Sequence, residues 1–138
     1  MTDTSPLAEA VARVGDRWTL LLVEALLSGP SRFNELSERL EGIAPNILTQ
    51  RLRHLEREAL VVAHPYSERP RRLSYELSET GRELAGALWL LADWGAKHSE
   101  DADAPRHAAC GTTLEARWWC PTCEQPVAED DAADLEFV

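Results

Sequence analysis

Apolar residues return along the first half of the chain at three- and four-residue intervals, and the breaks in that rhythm mark out the elements. Pro6 opens a helix over residues 6–14, with Leu7, Val11 and Val14 at i, i+4 and i+7. Gly15-Asp16 interrupts it. Arg17 to Leu27 is almost wholly apolar (Trp18, Leu20, Leu21, Leu22, Val23, Ala25, Leu26, Leu27), which predicts a buried central helix, and Ser28-Gly29-Pro30 ends it. Ser31 is placed to cap a short helix reaching Leu40, whose Phe33, Leu36 and Leu40 share one side. Glu41-Gly42-Ile43-Ala44 then makes a turn, and Pro45 at a first helical position starts a helix running to about Glu58.

The pattern next changes period. Leu60 to Tyr66 and Arg71 to Leu77 read as strands, the second alternating Leu73, Tyr75 and Leu77 against Ser74 and Glu76, with Ser67-Glu68-Arg69-Pro70 as the turn. Ser78 or Thr80 caps a long helix from about Gly81 to Lys97. Its Leu84, Ala85, Ala87, Leu88, Trp89, Leu90, Leu91, Ala92 and Trp94 leave almost no polar side. A helix apolar all round must be covered all round. The same helix of a second subunit is the simplest cover, with packing inside one chain as the competing explanation.

Two short helices joined by a tight turn and followed by an arginine-tipped hairpin have the order of a winged helix-turn-helix. On the second of these helices Leu48, Leu52 and Leu55 fall on one side, with Asn46, Gln50, Arg53 and Arg57 opposite and Thr49 at the border. Such a face suits base edges in a major groove and the flanking phosphates, although an isolated helix with this pattern is more often just solvated. Arg69, Arg71 and Arg72 crowd the hairpin tip. After a helix-turn-helix they are expected to grip phosphate and minor groove.

Net charge, at -10 over 138 residues, argues at first sight against DNA. The charge is unevenly placed. Residues 1–99 carry 12 Lys+Arg against 14 Asp+Glu, whereas residues 100–138 carry 2 against 10. Residues 44–72 hold 6 arginines and 3 glutamates, a local +3, and a phosphate backbone feels local charge because salt screens beyond about 8–10 Å. No signal-like segment and no apolar run near the roughly 20 residues of a membrane span is present, so a cytoplasmic protein without membrane attachment is expected.

Val14-Gly15-Asp16-Arg17-Trp18, Gly29-Pro30-Ser31-Arg32-Phe33-Asn34-Glu35-Leu36, Leu48-Thr49-Gln50-Arg51-Leu52-Arg53, Tyr75-Glu76-Leu77-Ser78-Glu79-Thr80-Gly81 and Trp94-Gly95 occur in that order. In these motifs, over about residues 5–98, the chain resembles the HxlR-type winged-helix regulators of bacteria, close to the MarR-like fold. The resemblance implies a homodimer, held by the first and the long last helix, that binds pseudo-palindromic double-stranded operator DNA and controls transcription. It also implies that Pro45, Asn46, Thr49, Gln50 and Arg53 read bases and that Arg32 holds phosphate. In one respect the chain departs from the pattern. Many members carry a cysteine before the proline of the first helix, regarded in some as a sensor; here Ser5 stands there, and a hydroxyl cannot supply a thiolate.

The three cysteines all lie between residues 110 and 123. His107-Ala108-Ala109-Cys110 and Cys120-Pro121-Thr122-Cys123 each place two donors with two residues between, the spacing that lets side chains converge on a tetrahedral ion, and the nine intervening residues suffice for a small hairpin. This resembles a zinc ribbon with one structural zinc per chain on His107, Cys110, Cys120 and Cys123. A Cys120 to Cys123 redox disulfide is the other reading. Zinc deaminases share a Cys-x-x-Cys pair but need a His-x-Glu element, and Ala109 occupies the glutamate's place. No enzyme is expected.

The expected fold is mainly α with a small β wing (α+β): a winged helix-turn-helix with a long C-terminal dimerisation helix over 1–99, a zinc-ribbon-like extension over 100–126, and a disordered acidic tail over 127–138. The expected function is sequence-specific transcriptional regulation. A zinc- or thiol-responsive protein-interaction module is the alternative. Trp18, Trp89 and Trp94 leave room for a small-molecule effector, though aromatic residues on such helices are more often core.

Overall fold

The computed structural model describes residues 4–128. The expected acidic tail therefore lies, from residue 129 on, outside the described residues. Two compact units are present: Ala10–Leu88 forms one, and the described residues up to Glu9 and from Trp89 onward form the other.

The first unit carries the winged helix. Helix α1 (Pro6–Val14) leads into it, and Asp16 caps α2 (Arg17–Leu27) by accepting the Thr19 amide at 3.0 Å. A two-residue strand β1 (Ser31–Arg32) precedes α3 (Phe33–Arg39), and α4 (Pro45–Arg57) follows the turn through Gly42. Strands β2 (Val61–Glu68) and β3 (Arg71–Leu77) make the wing. The sheet order is β1-β3-β2, antiparallel throughout, with Ser31 opposite Tyr75 and Val61 opposite Leu77. The core is leucine-rich: Leu22, Leu36, Leu48, Leu52 and Leu55 are fully buried, each such side chain contributing about 1.5–3 kcal/mol of transfer free energy.

Ser31 is not the helix cap that its local sequence suggests. It is buried in β1, and the cap position of α3 falls to Arg32, whose backbone N–H donates to the Glu35 carboxylate at 3.0 Å. Pairing with β3 satisfies the backbone of Ser31, so tertiary contact outweighs local capping preference. The helix expected from Gly81 to Lys97 is also interrupted. Ser78 accepts the Gly81 amide at 3.1 Å and caps α5 (Glu79–Arg82), a turn at Glu83-Leu84 follows, and α6 spans Ala85–Lys97. At that turn Leu84 N–H bonds back three residues to Gly81 O at 3.2 Å, which tightens the chain.

In the second unit, α6 exposes Trp89, Leu91 and Trp94, with Leu90 at the margin. Strands β4 (Trp118–Cys120) and β5 (Gln125–Val127) pair antiparallel, Trp118 opposite Val127. The hairpin thus turns around Cys120–Cys123 rather than within the nine residues between Cys110 and Cys120. Glu124, at φ 52°, closes that four-residue turn, and residues 111–117 contribute only an isolated bridge between Arg106 and Thr113.

Candidate nucleic-acid interface

Helix α4 is anchored by Leu48, Leu52 and Leu55 and leaves Pro45, Asn46, Gln50, Arg53 and Arg57 exposed, with Thr49 half-buried. The residues singled out for base reading therefore share one run of accessible surface. The Thr49 hydroxyl donates to Pro45 O at 3.0 Å, so it is held against its own helix. Arg51 differs from the other arginines. It faces Asp16 at 3.3 Å and ties the helix to the cap of α2.

That Asp16 carboxyl is held below the usual aspartate range. Partial burial raises its pKa, but the Thr19 hydroxyl and amide, Arg51 and the Trp18 amide together outweigh burial. Burial pushes the Tyr75 phenol up, helped by the nearby Glu56 charge and opposed by Arg53. Glu56 and Arg53 of α4 thus act in opposite senses on the Tyr75 phenol of β3.

Arg69, Arg71 and Arg72 are exposed around the tip of the wing, with Arg71 opposite Glu68 and Arg72 opposite Ser67. Arg32 is exposed too, and its guanidinium lies 4.4 Å from the centre of the Tyr66 ring. Arg32, Tyr66, Arg71 and Arg72 line one open groove of about 540 Å³ between the start of α3 and the wing. Tyr66 is absent from the residues picked out by sequence. Its only local signal is the proline before it, which disfavours regular pairing within a strand.

In the extension, His107 Nδ1 lies 3.3 Å from Cys110 Sγ, and the Cys123 amide donates to Cys120 Sγ at 3.5 Å. Each two-residue spacing is thus a turn that brings its own pair of donors together. Both turns end in a residue of positive φ, Gly111 at 73° and Glu124 at 52°. The Thr112 hydroxyl and amide draw the Cys110 thiol below its ordinary range, while the Cys123 amide lowers Cys120 and the adjacent Cys120 raises Cys123. Among the described residues, no three His, Cys, Asp or Glu side chains stand together as a metal group. No helix among them is long and apolar enough to cross a membrane.

Comparison with known proteins places this architecture. Residues 13–103 match the HxlR-like helix-turn-helix family. The chain belongs to that family. Among HxlR-like relatives, an uncharacterized HTH-type transcriptional regulator of Mycobacterium tuberculosis, Rv3095, is 36% identical over 122 residues, 86% of this chain and 77% of the relative. The crystal structure of YtcD, an uncharacterized HTH-type transcriptional regulator of Bacillus subtilis, superimposes with a TM-score of 0.64 at 35% identity. It covers 69% of this chain and 97% of its own. The structure of PA1607 is similar at a TM-score of 0.80 and 28% identity, covering 99% of this chain and 96% of that one. This last likeness takes in the extension as well as the HxlR-like segment.

Proposed function

We propose that this HxlR-like protein is a sequence-specific transcriptional regulator that binds pseudo-palindromic operator DNA as a homodimer in the cytoplasm, and is not an enzyme. The observation that carries this reading is the uncharged-polar and arginine face of α4, left open by burial of Leu48, Leu52 and Leu55 and lying in the same unit as an arginine-bearing wing. In this reading Pro45, Asn46, Thr49, Gln50 and Arg53 enter the major groove, and Arg32, Arg69, Arg71 and Arg72 hold phosphate and the minor-groove edge. The names of the HxlR-like relatives support the regulator assignment. Random-site selection with the purified protein tests it: enrichment of an inverted-repeat motif is expected, and recovery of only unrelated sequences at non-specific affinity would remove the assignment.

Dimerisation through α6 has support in the exposure of Trp89 (58%) and Trp94 (63%) on the single chain. His107, Cys110, Cys120 and Cys123 take one structural zinc per chain in this reading. Its support is the donor chemistry, three thiols and an imidazole, on two turns of similar build. The metal would supply cross-linking of the turns, in a segment whose large apolar residues Leu114, Trp118 and Trp119 are all exposed.

A further inference from the structure

Tyr66 is an aromatic residue 43% exposed on the edge strand of the wing. The strand register explains why it points where it does. Pro65 pairs with Leu73 and Ser67 with Arg72, so no residue of β3 is left to oppose Tyr66, and the ladder shifts there. A bulge of this kind re-aims a side chain out of the regular alternation. Here the re-aimed ring meets the Arg32 guanidinium at 4.4 Å, joining the wing to the residue that opens α3.

None of the ion pairs among the described residues uses Arg32, Arg71 or Arg72. Glu35, the acid in the groove, accepts the Arg32 backbone amide. A groove with guanidinium groups on both walls and an aromatic face fixing one of them suits a single phosphodiester.

We propose that Tyr66 is a positioning residue that holds Arg32 across the groove from Arg71 and Arg72, so that the two walls grip one phosphate of duplex DNA. This rests on the reading of the same surface as a DNA interface. The ring does not contact the bases; it restricts a long side chain that would otherwise lose mobility only on binding.

The test is duplex binding by full-length protein between about 50 and 200 mM salt, with Tyr66→Ala, Tyr66→Phe, Arg32→Ala and the Tyr66→Ala/Arg32→Ala double variant. Tyr66→Ala is expected to weaken binding about three- to fivefold, Tyr66→Phe less than about twofold because the ring face is kept. Arg32→Ala should lower the salt slope by about 1, and Tyr66→Ala should add nothing in that background. Additive losses, or a Tyr66→Phe defect equal to that of Tyr66→Ala, would overturn the proposal while leaving the regulator reading in place. A wild-type protein that binds no duplex across that salt range overturns both.

Discussion

Arg51 of α4 and Asp16 at the cap of α2 form an ion pair at 3.3 Å, and the same Asp16 carboxylate accepts the Thr19 amide and hydroxyl. One side chain thus caps α2, a helix buried only along Thr19, Leu22, Val23 and Leu26, and ties α4 to its start. Asp16→Ala is expected to cost about 1 kcal/mol, as lost caps do. Asp16→Asn keeps a capping oxygen and should cost only a few tenths, the worth of a part-exposed ion pair. Urea denaturation of the two variants checks this ordering, and equal losses would mean that the pair with Arg51 dominates the cap.

The lowered Asp16 pKa gives that contribution a pH dependence with a definite sign. A carboxyl whose folded pKa lies below its unfolded value stabilises fully above the unfolded value, about 3.9, and loses this as pH falls through the folded one. The stability gap between wild type and Asp16→Asn should therefore be constant near neutrality and close below about pH 4. A gap that closes instead between pH 6 and 8 would point to another group.

Most of this part of the fold is legible in the sequence because local and tertiary preferences agree there. Leu48, Leu52 and Leu55 recur at helical spacing and are buried together, so the opposite face follows by geometry. Ser31 and Tyr66 are the places where they disagree. A two-residue strand has no periodicity to detect, and pairing with Tyr75 turns a good capping residue into a sheet residue. A bulge shifts alternation by one residue, so the wing's first strand gives no cue that Tyr66 faces Arg32. The break at Glu83-Leu84 is hidden for a third reason: neither residue is a helix breaker.

Gly81, in α5 ahead of that break, lies against the backbone of Leu60. A Cβ added there would stand 2.2 Å from Leu60 O, the same oxygen that accepts the Ser78 amide at 2.9 Å. That carbonyl is backbone held by the Ser78 hydrogen bond, with little room to yield. Gly81→Ala should destabilise the winged unit by about 1–3 kcal/mol, measured as a shift in urea midpoint at unchanged slope, whereas Gly86→Ala, with open space around its Cβ, should be neutral or stabilising.

The proposed base-reading and phosphate-holding roles separate in salt titrations. Gln50→Ala should lower discrimination between operator and altered sites, by about 1–3 kcal/mol if its amide pairs in bidentate fashion with a base edge, with little change in salt slope. Arg69→Ala should weaken all duplexes alike and reduce the slope by about 1. If the two variants behaved identically, the division of labour between α4 and the wing would fall.

For the extension, native mass spectrometry of the full chain should find one zinc per subunit, lost in Cys120→Ser. A metal-free chain lighter than the reduced protein by the mass of two hydrogens would favour a Cys120 to Cys123 disulfide instead.

The wing's outer strand bears on self-association as well as on the proposed phosphate contact. β2 is an open sheet edge, the place where a second chain could add itself by backbone pairing. Pro65 withholds a donor from that edge, the bulge at Tyr66 breaks its straight ladder, and the arginines near its end repel a like-charged copy. The devices that shape the groove therefore also guard against runaway strand addition.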